Sequence, residues 1–93
     1  VAERSVALPR GQRRDETLRV LDIAAVRIGA RLESADAAHP GPPRAARIRT
    51  SRGAIDVHID AARLRLSWAD DDRWARMMGP VTVRTLDELL GDA

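Results

Sequence analysis

In the middle of the chain, apolar and polar residues alternate one by one: Arg47-Ile48-Arg49, then Ile55-Asp56-Val57-His58-Ile59, then Leu64-Arg65-Leu66-Ser67-Trp68. A period of two puts the apolar residues on one face of a strand and the polar ones on the other. The pattern predicts three strands in a meander. With a two-residue turn at Arg52-Gly53, Arg49 is expected opposite Asp56, Ile48 opposite Val57 and Arg47 opposite His58. With Ala61-Ala62 as the next turn, Ile59 is expected opposite Leu64, Val57 opposite Leu66, Ile55 opposite Trp68 and His58 opposite Arg65. Apolar residues then meet apolar ones throughout, and a slip of one residue would destroy the agreement.

Upstream the spacing changes to that of a helix. Asp15 is a plausible N-cap, and the pattern predicts a long helix over residues 15–37, stopped by His39-Pro40-Gly41-Pro42-Pro43. At about 100° per residue, Leu18, Leu21, Ala24, Ala25, Ile28 and Leu32 share one face. Val20, Ile23, Val26 and Ala30 form a second apolar stripe, bordered by Arg19, Arg27 and Arg31. A helix lying on a core by one side has no need of that second set.

Downstream, Asp70-Asp71-Asp72 suits the start of a short helix ending at Gly79-Pro80, with Trp74, Met77 and Met78 on one side. Val81 and Val83 alternate with Thr82 and Arg84, which predicts a short strand. Thr85 and Glu88 fit a capping box for a last helix carrying Leu86, Leu89 and Leu90. Residues 1–14 contain Pro9, Gly11 and three Arg, and read as a basic, flexible arm with at most a short strand over residues 5–8. The fold expected is α+β: a single small domain over residues 15–93, a long helix packed on an antiparallel sheet of three to four strands, in the order (β)αβββαβα.

Composition limits the core. Leu, Ile and Val are 21 of the 93 residues, with no Phe or Tyr, so Trp68 and Trp74 are the only large aromatic volumes. That is just above the level of about 20% below which chains tend to disorder. All 16 basic residues are Arg, and Lys and Asn are absent. Arg and Ala have GC-rich codons, so a bacterial genome of high GC content is expected, and the choice of Arg over Lys carries little chemistry. Without Cys there is no disulfide framework and no Cys-based zinc site. No apolar run approaches the roughly 20 residues that span a bilayer, and no secretory signal is visible, so the expected location is cytoplasmic and away from membranes.

Candidate chemistry is sparse. Asp56, His58 and Asp60 project from one strand face and are the nearest approach to a catalytic or metal cluster. Arg47, Arg49, Arg63 and Arg65 lie across the same face, where they would repel a cation and pair with the acids. The expectation is therefore no catalytic residue, no metal ligand and no cofactor. His39 stands far from any other candidate ligand. The serines lack a nucleophile elbow, the six glycines form no phosphate-binding pattern, and without Lys neither a phosphate loop nor Schiff-base chemistry is available.

Two binding readings remain. Residues 1–52 carry 11 Arg against 6 acids, a balance of +5, and residues 53–93 carry a balance of −3. Arg10, Arg13, Arg14, Arg44, Arg47, Arg49 and Arg52 are the candidate contacts of a nucleic-acid-binding regulator, although no aromatic residue precedes Trp68 to stack on bases. The favoured reading is a non-catalytic protein-interaction module, accessory or regulatory, working as a homodimer or as a small subunit of another protein. Its candidate interface residues are Val20, Ile23, Val26, Ala30, Trp74, Met77 and Met78.

Overall fold

Each alternating stretch forms a strand that buries one of its two faces. The computed structural model describes residues 1–34 and 44–91. It is an α+β domain with the elements β1 (Ala2–Ala7), α1 (Arg14–Arg27), β2 (Arg31–Ser34), β3 (Ala45–Arg49), β4 (Ala54–Ile59), β5 (Arg63–Trp68) and α2 (Arg73–Gly91). The strands make one antiparallel sheet in the order β1-β5-β4-β3-β2. The helix α1 thus carries the chain from one edge of the sheet to the other. Val6, Ala46, Ile48, Ile55, Val57, Ile59, Leu64, Leu66 and Trp68 are buried and share one face, so both helices lie on that face. The opposite face meets solvent.

The β4–β5 hairpin has the expected register, with Ile59 opposite Leu64, Val57 opposite Leu66 and His58 opposite Arg65. Its turn lies at Ala61-Ala62, closed by Asp60 N–H to the Arg63 carbonyl at 3.0 Å. The β3–β4 hairpin does not. Ile48 faces Ile55, Ala46 faces Val57 and Arg47 faces Asp56, two residues away from the expected pairing. A shift of two keeps every side chain on its face, so alternation cannot detect it. Thr50 decides it. Its N–H bonds the Gly53 carbonyl at 2.9 Å, and its Oγ1 accepts from the N–H groups of Arg52 and Gly53 at 3.0 and 3.3 Å. The turn is therefore centred on Ser51-Arg52 rather than on Arg52-Gly53.

The first helix is shorter than its periodicity suggested. Gly29 adopts φ +75, Ala30 N–H bonds the Ala25 carbonyl at 2.8 Å, and Gly29 N–H bonds the Val26 carbonyl at 3.0 Å. This pair of bonds is a Schellman closure, which needs the left-handed residue that glycine supplies. Leu32, expected on the core stripe of the helix, instead faces Ile48 from β2. Ala30 likewise lies beyond the helix, so the second stripe loses one member. Arg13, not Asp15, holds the N-cap position, without a side-chain cap; Asp15 sits in the first turn and pairs with Arg13. The expected helix end at residue 37 and the stop over residues 39–43 lie outside the described residues.

The two ends of the chain also differ from expectation. Residues 1–14 were expected as a flexible arm with at most a short strand over residues 5–8, and the strand that forms there is longer and earlier: Ala2–Ala7 make the edge strand β1, paired along its length with β5. At the other end there is one continuous helix where a helix, a strand and a second helix were expected. Pro80 lies inside α2, and Val81, Val83 and Thr85 are helical. Ala75, Gly79, Thr82, Leu86 and Leu90 are its buried residues, spaced by four, three, four and four. That helical spacing on the sheet outweighs the breaker dipeptide, because burying a row of side chains against the sheet exceeds the roughly 3 kcal/mol cost of one proline. The Thr85 hydroxyl donates to the Val81 carbonyl at 2.9 Å instead of forming a capping box.

Candidate functional site

The molecule offers two broad surfaces, the open face of the sheet and the outer face of the helix pair. The open sheet face carries Glu33, Arg47, Asp56 and Ser67 side by side on four neighbouring strands, with Ala45, His58, Arg65 and Ser5 in the next row. Most of its charges are already engaged, Glu3 and Arg63 being the exceptions among the described residues. Arg47 Nε reaches Asp56 Oδ1 at 2.8 Å, Arg49 Nη1 reaches Glu33 at 3.7 Å, and Asp60 lies 3.4 Å from His58 Nε2 and 3.2 Å from Arg65 Nε. The hydrogen bond from Arg47 to Asp56, with their attraction, raises the Arg47 pKa still further above its ordinary value. Asp56, His58 and Asp60 share the face but not a point: Asp56 turns to an Arg on β3 and Asp60 to one on β5. Among the described residues no three His, Asp or Glu side chains are grouped to hold a metal ion.

The seven candidate nucleic-acid contacts do not form one patch. Arg10 and Arg13 precede α1, Arg14 opens it, and Arg44 lies beside Ile59, all at the end of the sheet where β4 turns into β5. Arg52 is in the hairpin at the opposite end, and Arg47 and Arg49 sit on the sheet face between, bound to acids. Arg13 is likewise taken by Asp15 at 2.9 Å and Glu16 at 3.5 Å.

The outer face of the helix pair is different. Its exposed large apolar side chains are Ile23 at 40% and Val26 at 66% on α1, and Met77 at 68% and Val81 at 42% on α2. Met78 is half-buried, while Val20 and Trp74 are half-buried and pack against the core. Of the expected interface set, Ile23, Val26 and Met77 therefore remain in solvent, Val20, Trp74 and Met78 are partly covered, and Ala30 is off the helix. Val81 is the member that the sequence reading missed. Its spacing of four from Met77 is visible only when the helix is carried through Gly79-Pro80.

Antiparallel pairing fixes how the two helices run. β1 ends where α1 begins, β5 ends where α2 begins, and β1 and β5 are antiparallel, so α1 and α2 also run in opposite directions. Pro9, Ala7, Asp87 and Leu90 line one groove of about 370 Å³, which places the start of α1 and the end of α2 at the same end of the molecule. A second groove, about 270 Å³, is lined by Arg4 of β1 and by Pro80, Val83, Arg84 and Asp87 of α2. Both are shallow, and neither gathers an acid, a base and a nucleophile. Among the described residues no helix is long and apolar enough to cross a membrane. Comparison with protein-family models, curated proteins and solved structures returns no match.

Proposed function

We propose that the chain is a non-catalytic protein-interaction module, accessory or regulatory in role, working as a homodimer or small subunit through the outer face of its helix pair. The observation that supports this reading is the exposure of Ile23, Val26, Met77 and Val81 together on that face. Full burial of such a side chain is worth roughly 1.5–3 kcal/mol, which a partner could recover. The sheet face offers no comparable gain, since most of its Arg and acids already pair with one another and exposed pairs contribute only about 0–1 kcal/mol. The alternative, a nucleic-acid-binding regulator, has weaker support because its Arg residues are divided between two ends and a paired middle.

Sedimentation equilibrium of the full chain tests the reading, with circular dichroism to follow the fold. Wild-type protein is expected to exceed monomer mass, and Ile23→Asp with Met77→Asp to return it to a folded monomer. Association that is unchanged in the double variant, or tight, salt-dependent binding to duplex DNA by a monomer, would count against it.

A further inference from the structure

The sheet ends on one side in β1, six residues long, and on the other in β2, only four. In an antiparallel pair, residues that exchange both backbone bonds with their partner alternate with residues that exchange none. Leu8 N–H donates to the Ala62 carbonyl at 2.9 Å, which continues the series Val6–Leu64, Arg4–Leu66 and Ala2–Trp68. The even residues of β1 therefore turn their backbone groups to β5, and Glu3, Ser5 and Ala7 turn theirs to the open edge. That edge offers three N–H and three carbonyl groups to a further strand, and among the described residues no other backbone group meets them. α2 packs on β5 and β4 as well as on β1, so it lies inward of the edge rather than across it.

Two charges beside that edge have no partner within the chain. Glu3 and Arg63 stand on the open face of the sheet, both exposed, and among the described residues neither enters an ion pair. Glu3 lies in the row of Ser67 and Arg63 in the row of Ala7, roughly 13 Å further along the strand. On the other face of β1, Arg4 shares a shallow groove with Pro80, Val83, Arg84 and Asp87, and Asp87 also lines the groove beside Ala7 and Leu8. Asp87 thus stands near the level of Val6.

We infer that the open edge of β1 pairs with β1 of a second copy, two-fold and antiparallel about Ser5, so that two five-stranded sheets join into one. This concerns a surface other than the outer face of the helices and does not rest on that reading. Of the two-fold registers, only the one centred on Ser5 uses all the outward groups: Glu3 pairs with Ala7 of the second copy, Ser5 with Ser5 and Ala7 with Glu3. Centring on Arg4 would set the two Arg4 side chains against each other, and centring on Val6 would set Glu3 against Pro9, which has no N–H. In the Ser5 register Glu3 of the second copy lies beside Ala7. Arg63 lies beyond that alanine, about 10 Å away with only a methyl group between. The two unengaged charges of one chain thus meet their opposites in the other, twice by symmetry. Arg4 of the second copy lies opposite Val6, at the level of Asp87. An unrelated apolar strand would leave Glu3, Arg4 and Arg63 without these partners, so the charges select the second copy. One strand against one strand is a small contact, below the roughly 1,000 Å² of a stable interface, so it is weaker than the helix-face association and adds to it.

The full chain carrying Ile23→Asp and Met77→Asp isolates this contact, because it lacks two apolar side chains of the helix face. Sedimentation equilibrium from about 10 µM to about 1 mM, with amide exchange by NMR at both concentrations, reads the pairing. The expected result is a monomer at the lower concentration and a dimer appearing toward the higher, where the amides of Glu3, Ser5 and Ala7 exchange at least about twofold more slowly. Ser5→Pro in that chain removes an outward N–H and no bond within the sheet, so it should abolish the dimer and leave the circular dichroism unchanged. Glu3→Arg and Arg63→Glu should each weaken self-association about three- to tenfold, and their equimolar mixture should restore it, because each reversed side chain then meets its opposite. The same exchange comparison in the wild-type chain, with and without Ser5→Pro, repeats the test without the helix-face substitutions. No dimer up to about 1 mM, a dimer that Ser5→Pro leaves intact, or a mixture no tighter than its components overturns the edge pairing. If the starting chain is already dimeric at about 10 µM and Ser5→Pro dissolves it, the edge pairing stands and the helix-face reading fails.

Discussion

Gly79 of α2 passes so close to the indole of Trp68 that a Cβ on the glycine would lie 2.6 Å from ring carbons of the tryptophan. The largest aromatic on the core face of the sheet thus fits because the helix above it has no side chain there, and Ala75 one turn earlier is small as well. Gly79→Ala gains up to about 1 kcal/mol of helix propensity but must displace a buried ring, an overpacking cost of about 1–3 kcal/mol and sometimes more. The expected net is a loss of roughly 1–2 kcal/mol by urea unfolding. A variant more stable than wild type would show that the helix can lift off Trp68 without penalty.

Pro80 is exposed and has no N–H to give the Arg76 carbonyl, one turn back in α2. Proline in a helix interior costs about 3 kcal/mol relative to alanine, so Pro80→Ala should raise stability by roughly 1–3 kcal/mol. Denaturant midpoints for the two proteins decide it. An unchanged midpoint would mean that the helix is locally relieved at this position.

Asp72 joins two elements distant in sequence. Its Oδ1 accepts the Ala75 N–H at 2.9 Å as the N-cap of α2, and its Oδ2 accepts the Ala54 N–H at 3.0 Å at the start of β4. Asp72→Ala is expected to cost about 1–3 kcal/mol, since one change removes a cap and leaves a strand N–H without its acceptor. Asp72→Asn should retain part of that. Gly53→Ala should weaken the same junction, because its Cβ would overlap the Asp72 carboxylate. Equal stability of Asp72→Ala and wild type would remove the junction from this account.

The Asp15 carboxyl is held below its ordinary value of 3.8 chiefly by the hydrogen bond from Arg13; desolvation is the next largest effect and opposes it, and the attraction to Arg13 and the backbone N–H groups of Asp15 and Glu16 lower it further. A lowered folded value means that the contribution to stability is complete above 3.8 and is lost as pH falls through the lowered value. Titration of Asp15 by NMR should give a midpoint under 3.8, and Arg13→Gln should bring it part of the way back. A midpoint unmoved by that substitution would exclude the pair as the cause.

Much of this architecture is written in the order of residue types. Strict alternation over residues 55–59 and 64–68 gave β4, β5 and their buried faces, because inside and outside are set by a period of two, and their register follows from placing the turn at Ala61-Ala62, between Asp60 and Arg63. The α1 core residues Leu21, Ala24 and Ala25 follow in the same way from a period of 3.6. Other features depended on contacts that periodicity does not register, some in a turn and some far along the chain. The β3–β4 register differs from its alternative by two residues, which alternation does not sense, and side-chain bonds of Thr50 select it. Gly79-Pro80 reads locally as a stop, and only the sheet, through Trp68 and the buried row from Ala75 to Leu90, makes continuing the helix the better outcome. The candidate surface depended on that same contact. Met77 and Val81 share a face only if the helix crosses the proline, so local chemistry fixed where the apolar residues are, and tertiary packing decided which of them reach solvent together.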